Sequence, residues 1–211
     1  LPEAFKRSYF HIEKPAMAHS VYTLPKVGLE DSTFQEYSKR LRILRLKSLQ
    51  ADPDSWVSIY ESEADQPPEF WWKRLREPRA VHHVLVRNDP STDSSDTKSA
   101  LLAGEWIGFV VMIIPGAEDR TPEYDMSALY IDAEARGLGL GKRMVQKVID
   151  TVRQHETKVG EELPFCTASV RHGNESALGL YQKLGFRVIN TDRIAEKEGR
   201  KYHTTDVRFD V

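Results

Sequence analysis

Residues Ala135-Arg136-Gly137-Leu138-Gly139-Leu140-Gly141-Lys142-Arg143 stand between a strand-like segment and the most regular helical stripe in the chain. A glycine-rich turn from strand to helix bares backbone N–H groups, and the helix N-terminus adds partial positive charge. Such a turn suits a phosphate or pyrophosphate, with Arg136, Lys142 and Arg143 as mobile counter-charge. Spacing narrows the ligand. A P-loop needs Gly-x-x-x-x-Gly-Lys-Ser/Thr, but Arg136 occupies the first glycine's place and Arg143 follows Lys142. The dinucleotide pattern Gly-x-Gly-x-x-Gly fails as well, because Lys142 or Met144 falls where the last glycine should be. What fits is Arg-x-x-Gly-x-Gly, filled by Arg136, Gly139 and Gly141. Gly139 and Gly141 are expected to be glycines because a side chain would block a phosphate from the backbone.

Working outward, Leu140, Met144, Val145, Val148, Ile149 and Val152 recur at a 3.6-residue period and predict a helix. Before the turn, three strands are expected at Val81 to Arg87, Leu102 to Ile114 and Tyr124 to Asp132. The second of these is apolar enough to lie mid-sheet. Further upstream, Val21 to Leu24 reads as a short strand. Ser32 with Gln35 fits a capping box, opening a helix that ends at Asp52-Pro53. Pro68 to Arg76 reads as a short helix with proline at its start. After the long helix come a strand from Phe165 to Val170 and a helix marked by Ala177, Leu178, Tyr181 and Leu184, closed by Gly185. Two last strands, Phe186 to Asn190 and Tyr202 to Phe209, flank a charged connection. The polar stretch from Asn88 to Lys98 reads as an exposed loop. The order predicts a mixed α/β sheet with antiparallel pairing, not a doubly wound one.

Composition sets the bounds. The 211 residues carry a net charge of −2, without the basic surplus that nucleic-acid or anionic-membrane binding would want. The single cysteine, Cys166, excludes an intramolecular disulfide framework and a Cys-rich zinc site. No apolar run is long enough to span a bilayer, and the first 25 residues lack a signal-peptide core. A soluble, intracellular protein is expected, cytoplasmic, with the nucleus as the alternative.

With these residues in view, the chain resembles the GNAT superfamily of acyl-CoA-dependent N-acetyltransferases, whose signature is Arg/Gln-x-x-Gly-x-Gly/Ala. Leu129-Tyr-Ile-Asp132 stands where the family places its splayed fourth strand. Asn174-Glu-Ser-Ala-Leu-Gly-Leu-Tyr-Gln-Lys-Leu-Gly-Phe186 resembles the family's second block. More weakly, Leu49-x-x-Asp-Pro53, Trp56 and Trp71 resemble the first-helices region of one microbial subgroup. The resemblance implies a largely antiparallel sheet of about seven strands with helices on both faces, over residues 21–211, preceded by an arm at 1–20. It implies acetyl-CoA as co-substrate and direct transfer to an amine in a ternary complex. The cofactor-binding positions it implies are Leu129, Tyr130, Ile131, Arg136, Gly137, Leu138, Gly139, Leu140, Gly141, Lys142, Asn174 and Tyr181. A bulge in the fourth strand would free N–H groups around Leu129 to Ile131 for the thioester carbonyl. Tyr181 would protonate the departing sulfur.

The residues themselves leave alternatives. Tyr181 also lies on an apolar stripe, and core packing is its alternative reading. Asn174 reads equally as a helix N-cap. Asp125 and Glu105 are strand carboxylates that could serve as general base or be surface residues; Asp125 is the one placed in the catalytic set. His82 and His83 are adjacent on a strand, point to opposite faces and do not make a shared metal site; no metal is expected. Cys166 reads as a small core residue. Between Ser48 and Trp72 there are six acids and no Lys or Arg, with Trp56, Tyr60, Trp71 and Trp72 among them. This suggests either an acidic, aromatic rim steering a small cationic amine or a solvated acidic face with its tryptophans turned inward. Peptide or protein amines, and a CoA-binding module without catalysis, are the alternatives. The oligomeric state is not legible.

Overall fold

Leu140, Met144, Val145, Val148, Ile149 and Val152 are all buried, and they make α5 (Leu140–Gln154) the centre of the larger core. The computed structural model describes residues 18–88, 96–155, 163–197 and 199–211. Seven strands form one sheet: β1 (Ala18–Thr23), β2 (Ala80–Asn88), β3 (Glu105–Ile113), β4 (Glu123–Ile131), β5 (Phe165–Arg171), β6 (Arg187–Lys197) and β7 (Arg200–Asp210), in the order β1-β2-β3-β4-β5-β7-β6. Every neighbouring pair is antiparallel except β4 with β5.

Helices cover both faces. With α5 lies α6 (Glu175–Lys183), whose Tyr181 joins the core formed by Leu85, Ile107, Met112 and Cys166. The opposite face packs against α1 (Asp31–Ala51), α3 (Pro68–Arg76) and α4 (Thr97–Ala103) through Tyr37, Leu41, Leu75 and Leu101. A short α2 (Tyr60–Ala64) lies between α1 and α3. No helix among the described residues is long and apolar enough to cross a membrane.

Several boundaries differ from expectation. The segment from Leu102 begins in a helix: Asp96 caps α4 by accepting from the Ser99 N–H at 2.9 Å, Leu101 is fully buried, and the strand starts only at Glu105. An apolar Ala-Leu-Leu-Ala run is compatible with either state, and the cap decides it. Gly104 makes the break, since a Cβ there would lie 2.2 Å from Val86 Cγ1. Ser32 is not a cap: α1 opens at Asp31 behind Glu30, with no side-chain cap. The charged connection from Asn190 to Asp206 is mostly paired backbone, a long β6–β7 hairpin turning at Gly199. Residues 18–20, read as part of the arm, start β1. Residues 1–17, and 89–95 of the polar loop, lie outside the described residues.

One buried ionic group ties α1, α2 and α3 together. Glu63 accepts from Arg45 at 2.8 and 3.0 Å and from Arg74 at 2.7 Å, with Arg45 and Glu63 both buried. Burial alone would push the Glu63 carboxyl up, but the two guanidinium groups outweigh it and bring it to about 2. A depressed carboxylate contributes stability above its unfolded value near 4, and loses it as pH falls toward 2. Glu63→Gln leaves Arg45 buried without its charge partner. The variant is expected to lose about 3 to 5 kcal/mol of unfolding free energy at pH 7, with much of that difference gone at pH 3. Urea unfolding at the two pH values measures both.

Candidate active site

β4 carries an irregularity that sets up the site. Val111 pairs with Ala128 and Met112 with Met126, so no β3 residue stands opposite Ser127, whose hydroxyl donates to the Val111 carbonyl at 3.4 Å. A bulge of this kind reverses which face each following residue presents. Tyr124 and Met126 face the α5 core before it, and Leu129 and Ile131 do so after it. Ala128 and Tyr130 turn to the opposite cluster.

Beyond the bulge, Asp132 donates its N–H to the Ile107 carbonyl on β3 at 2.8 Å. Alternation along an antiparallel strand then directs the N–H groups of Leu129 and Ile131 away from β3, and that of Tyr130 toward it. The Ile131 carbonyl faces the same way as its N–H, and it accepts from Arg136 Nε at 2.9 Å. On that side β5 has already parted from β4, because their pairing ends at Asp125 with Thr167. A cleft of about 700 Å³ opens there, lined by Asp125, Leu129, Ser169, Asn174 and Tyr181.

The glycine turn closes one end. Gly137 and Gly139 have φ of +80° and +73°, and a Cβ at either would meet nothing within 4 Å. Their backbone conformation, in open space, is what calls for glycine. Gly141 is a different case: its Cβ would lie 3.1 Å from Leu180 Cδ2, so close packing of α5 on α6 accounts for it. The first N–H groups of α5, from Leu140 to Lys142, have no acceptor within the helix and no side-chain cap. Leu138 stands at the exposed tip. Of the three bases expected as mobile counter-charge, two are tied down. Arg136 bridges Asp52 and the Ile131 carbonyl, and Arg143 donates to the His19 carbonyl at 2.7 Å. Exposed Lys142 has no partner among the described residues.

Tyr181 is 4% exposed, with its ring 5.2 Å from that of Phe186. Burial, then the charge of Asp125, raises its phenol well above the ordinary value and keeps it protonated. Asn174 caps α6 by accepting from the Ala177 N–H at 3.1 Å, and it also lines the cleft. The Asp125 carboxyl is pushed up to about 6 by burial and by the charges of Glu123 and Asp206, against the pull of Arg193. Glu123, Asp206 and Arg193 line the same cleft and had no local signal in the sequence. Long-range strand register brings them in, with Ser169 opposite Asp206.

The other candidates lie elsewhere. Glu105 is exposed and paired with Arg87. His83 faces the α5 side, bonded to Thr23 Oγ1 at 2.9 Å. His82 lines a second hollow on the opposite face. Burial pushes the Cys166 thiol up to about 12, as suits a core residue. Half of the six acids of the rim are paired: Asp52 binds Arg136, Asp54 lies 3.7 Å from Arg171, and Glu63 is buried between two arginines. Bases from other elements, invisible within the segment itself, offset that part of its charge. Exposed His172, Asp192 and His203 bring their potential ligand atoms within 4.8 Å of one another near the end of β5.

The description "Acetyltransferase (GNAT) family" matches residues 47–186. Among curated proteins, the peptidyl-lysine N-acetyltransferase YjaB of Escherichia coli is 32% identical over 84 residues, which is 40% of this chain and 49% of that one. The L-methionine sulfoximine/L-methionine sulfone acetyltransferase of Pseudomonas aeruginosa is 26% identical over 85 residues, 40% of this chain and 46% of that one. This chain thus spans less than half the length of these relatives. Among solved structures, a GNAT-family acetyltransferase from Streptococcus pneumoniae superposes with a TM-score of 0.60 at 14% identity. The match covers 92% of this chain and 100% of that one. The family's match over most of the chain, on a seven-stranded sheet of this topology, makes the conclusion plain: the chain belongs to the GNAT acetyltransferase family.

Proposed function

We propose that the protein transfers an acetyl group from acetyl-CoA to a small amine by direct attack in a ternary complex. The observation that carries this reading is the shared cleft, in which a carboxyl titrating near 6 and a protonated phenol face the gap between β4 and β5. An amine of ordinary pKa arrives as ammonium. Asp125 and Glu123 would receive it, beside Asp206, which is paired with Arg193. That role passes from the half-paired acids of the 48–72 segment to these strand carboxylates.

The chemistry follows from the chain's own groups. The ammonium gives one proton to solvent before the attack, and Asp125 takes the second as the nitrogen bonds to the thioester carbonyl carbon. The N–H groups of Leu129 and Ile131 are directed to where the carbonyl oxygen gains charge. When the carbon–sulfur bond breaks, Tyr181 gives its proton to the thiolate, and the proton held by Asp125 restores the phenol. The neutral amine loses one proton and the sulfur gains one. Leu140 to Lys142, with the Lys142 ammonium, would hold the cofactor's phosphates, and Gly137 to Gly139 would let them approach. The acceptors for which the relatives are named, a peptidyl lysine and methionine derivatives, are both amines and leave the choice open.

Thermal unfolding with acetyl-CoA, CoA and ATP tests the cofactor part. At about 100 times its dissociation constant, a ligand adds roughly 2.7 kcal/mol. Stabilisation by acetyl-CoA and CoA but not ATP is expected. No shift with either thioester or thiol would remove the transferase reading and favour an interaction module.

A further inference from the structure

Beside the cleft lies a second hollow of about 640 Å³, between the sheet and helices α1 and α3. The two share Trp56, Val57, Ile113, Ser127 and Ala128, so a molecule in one abuts the other across the β4 bulge. Trp56, Phe70, Trp71 and Phe109 give this hollow an apolar body. Arg45, Lys73, Arg74 and Lys197 line it against one carboxylate, Glu77, whereas carboxylates and arginines line the cleft in equal number.

Glu63 lies behind Arg45 and Arg74 and balances part of that charge. The two lysines keep theirs. Lys197 donates to the Ser58 hydroxyl at 2.6 Å, and Lys73 has no carboxylate partner among the described residues. Two further groups in the same wall lack partners. Trp71 is 2% exposed and His82 is 4% exposed, yet neither Trp71 Nε1 nor His82 Nδ1 makes a hydrogen bond. An indole N–H can only donate, and a buried donor left unmet costs about 1–3 kcal/mol. Both nitrogens are sealed from solvent and so from the hollow, and it is the surplus cations that call for an oxygen-rich, anionic group.

From this we infer that the second hollow holds the carboxylate end of the acceptor, which is a small amino acid with an apolar side chain. Its ammonium lies toward Asp125 and its carboxylate toward Lys73, Arg74 and Lys197. The inference rests on the transferase reading for the ammonium end only. A purely cationic acceptor would suit the cleft but would meet four positive groups in the hollow, whereas a zwitterion matches both signs.

The test compares amino acids with their decarboxylated amines, phenylalanine with phenethylamine and leucine with isoamylamine, in wild type and in a Lys73→Met/Lys197→Met variant. Both lysines are exposed, so the variant is expected to fold with an unchanged melting temperature. In wild type, kcat/KM should be at least tenfold higher for the amino acid than for its amine. The variant should lose at least tenfold on the amino acid and less than twofold on the amine. A separate readout needs no turnover: N-acetylphenylalanine with CoA should raise the melting temperature of wild type but not of the variant. Equal rates within each pair, or equal losses on both members, would overturn the inference and leave the transferase reading standing. Product binding that depends on the lysines, with no amine acetylated, would keep the hollow's role and remove the transferase reading. Absence of both turnover and product binding would overturn both.

Discussion

Tyr181→Phe should lower kcat by about 10² to 10⁴-fold, the range of a lost general acid, while the acetyl-CoA dissociation constant changes less than twofold. The separation follows from where the hydroxyl sits in the proposed cycle. The ring packs on Phe186 within the core, and Phe keeps that packing. What the variant loses is one proton donor, at the step where carbon–sulfur bond cleavage leaves a thiolate. Burial and the nearby Asp125 hold the phenol protonated across the working pH range, so wild-type turnover should show no basic limb from this group below pH 10. Steady-state kinetics with a coupled thiol assay, set beside a binding isotherm for acetyl-CoA, checks both halves. If the variant turns over normally at every pH, Tyr181 is a core residue and the leaving-group role belongs elsewhere.

The sequence made the local parts of this molecule legible and left the long-range parts hidden. α5 and the turn before it could be read because a 3.6-residue stripe and positive-φ glycines are properties of neighbouring residues. The Asn174 cap and the Gly185 stop were equally local. The bulge at Ser127 left a trace that alternation could have exposed: Tyr124 and Met126 share a face with Leu129 and Ile131, a change of parity across one residue. The charge of the site was not legible. Asp206 reaches the cleft only because β7 lies beside β5, and Arg45 and Arg74 cancel Glu63 from other helices. A segment rich in acids therefore looked like an acidic rim, although the wall formed beside it is cationic. Composition along the chain reports which charges exist, and packing decides where they lie and which remain free.

The second large effect is expected at Asp125, where catalysis and stability should move in opposite directions. In wild type, kcat/KM should rise with pH through about 6 as the carboxylate forms. Asp125→Asn removes the proton acceptor without changing the side chain's size. Turnover should fall by about 10² to 10⁴-fold at pH 7.5, and the limb near 6 should vanish. Stability should respond with the opposite sign. A carboxyl whose folded value is raised above its unfolded value near 4 favours folding while protonated, and loses that contribution as pH rises through about 6. At pH 8 the native state must carry an ionised Asp125 beside Glu123 and Asp206, a cost the neutral amide does not bear. The variant should therefore melt higher than wild type at pH 8, and at nearly the same temperature at pH 4. Melting curves at the two pH values, run beside the kinetic profile, separate a base from a bystander. A carboxylate merely lining the cleft would show the stability gain with little loss of turnover. A carboxylate that receives the amine's proton must show both.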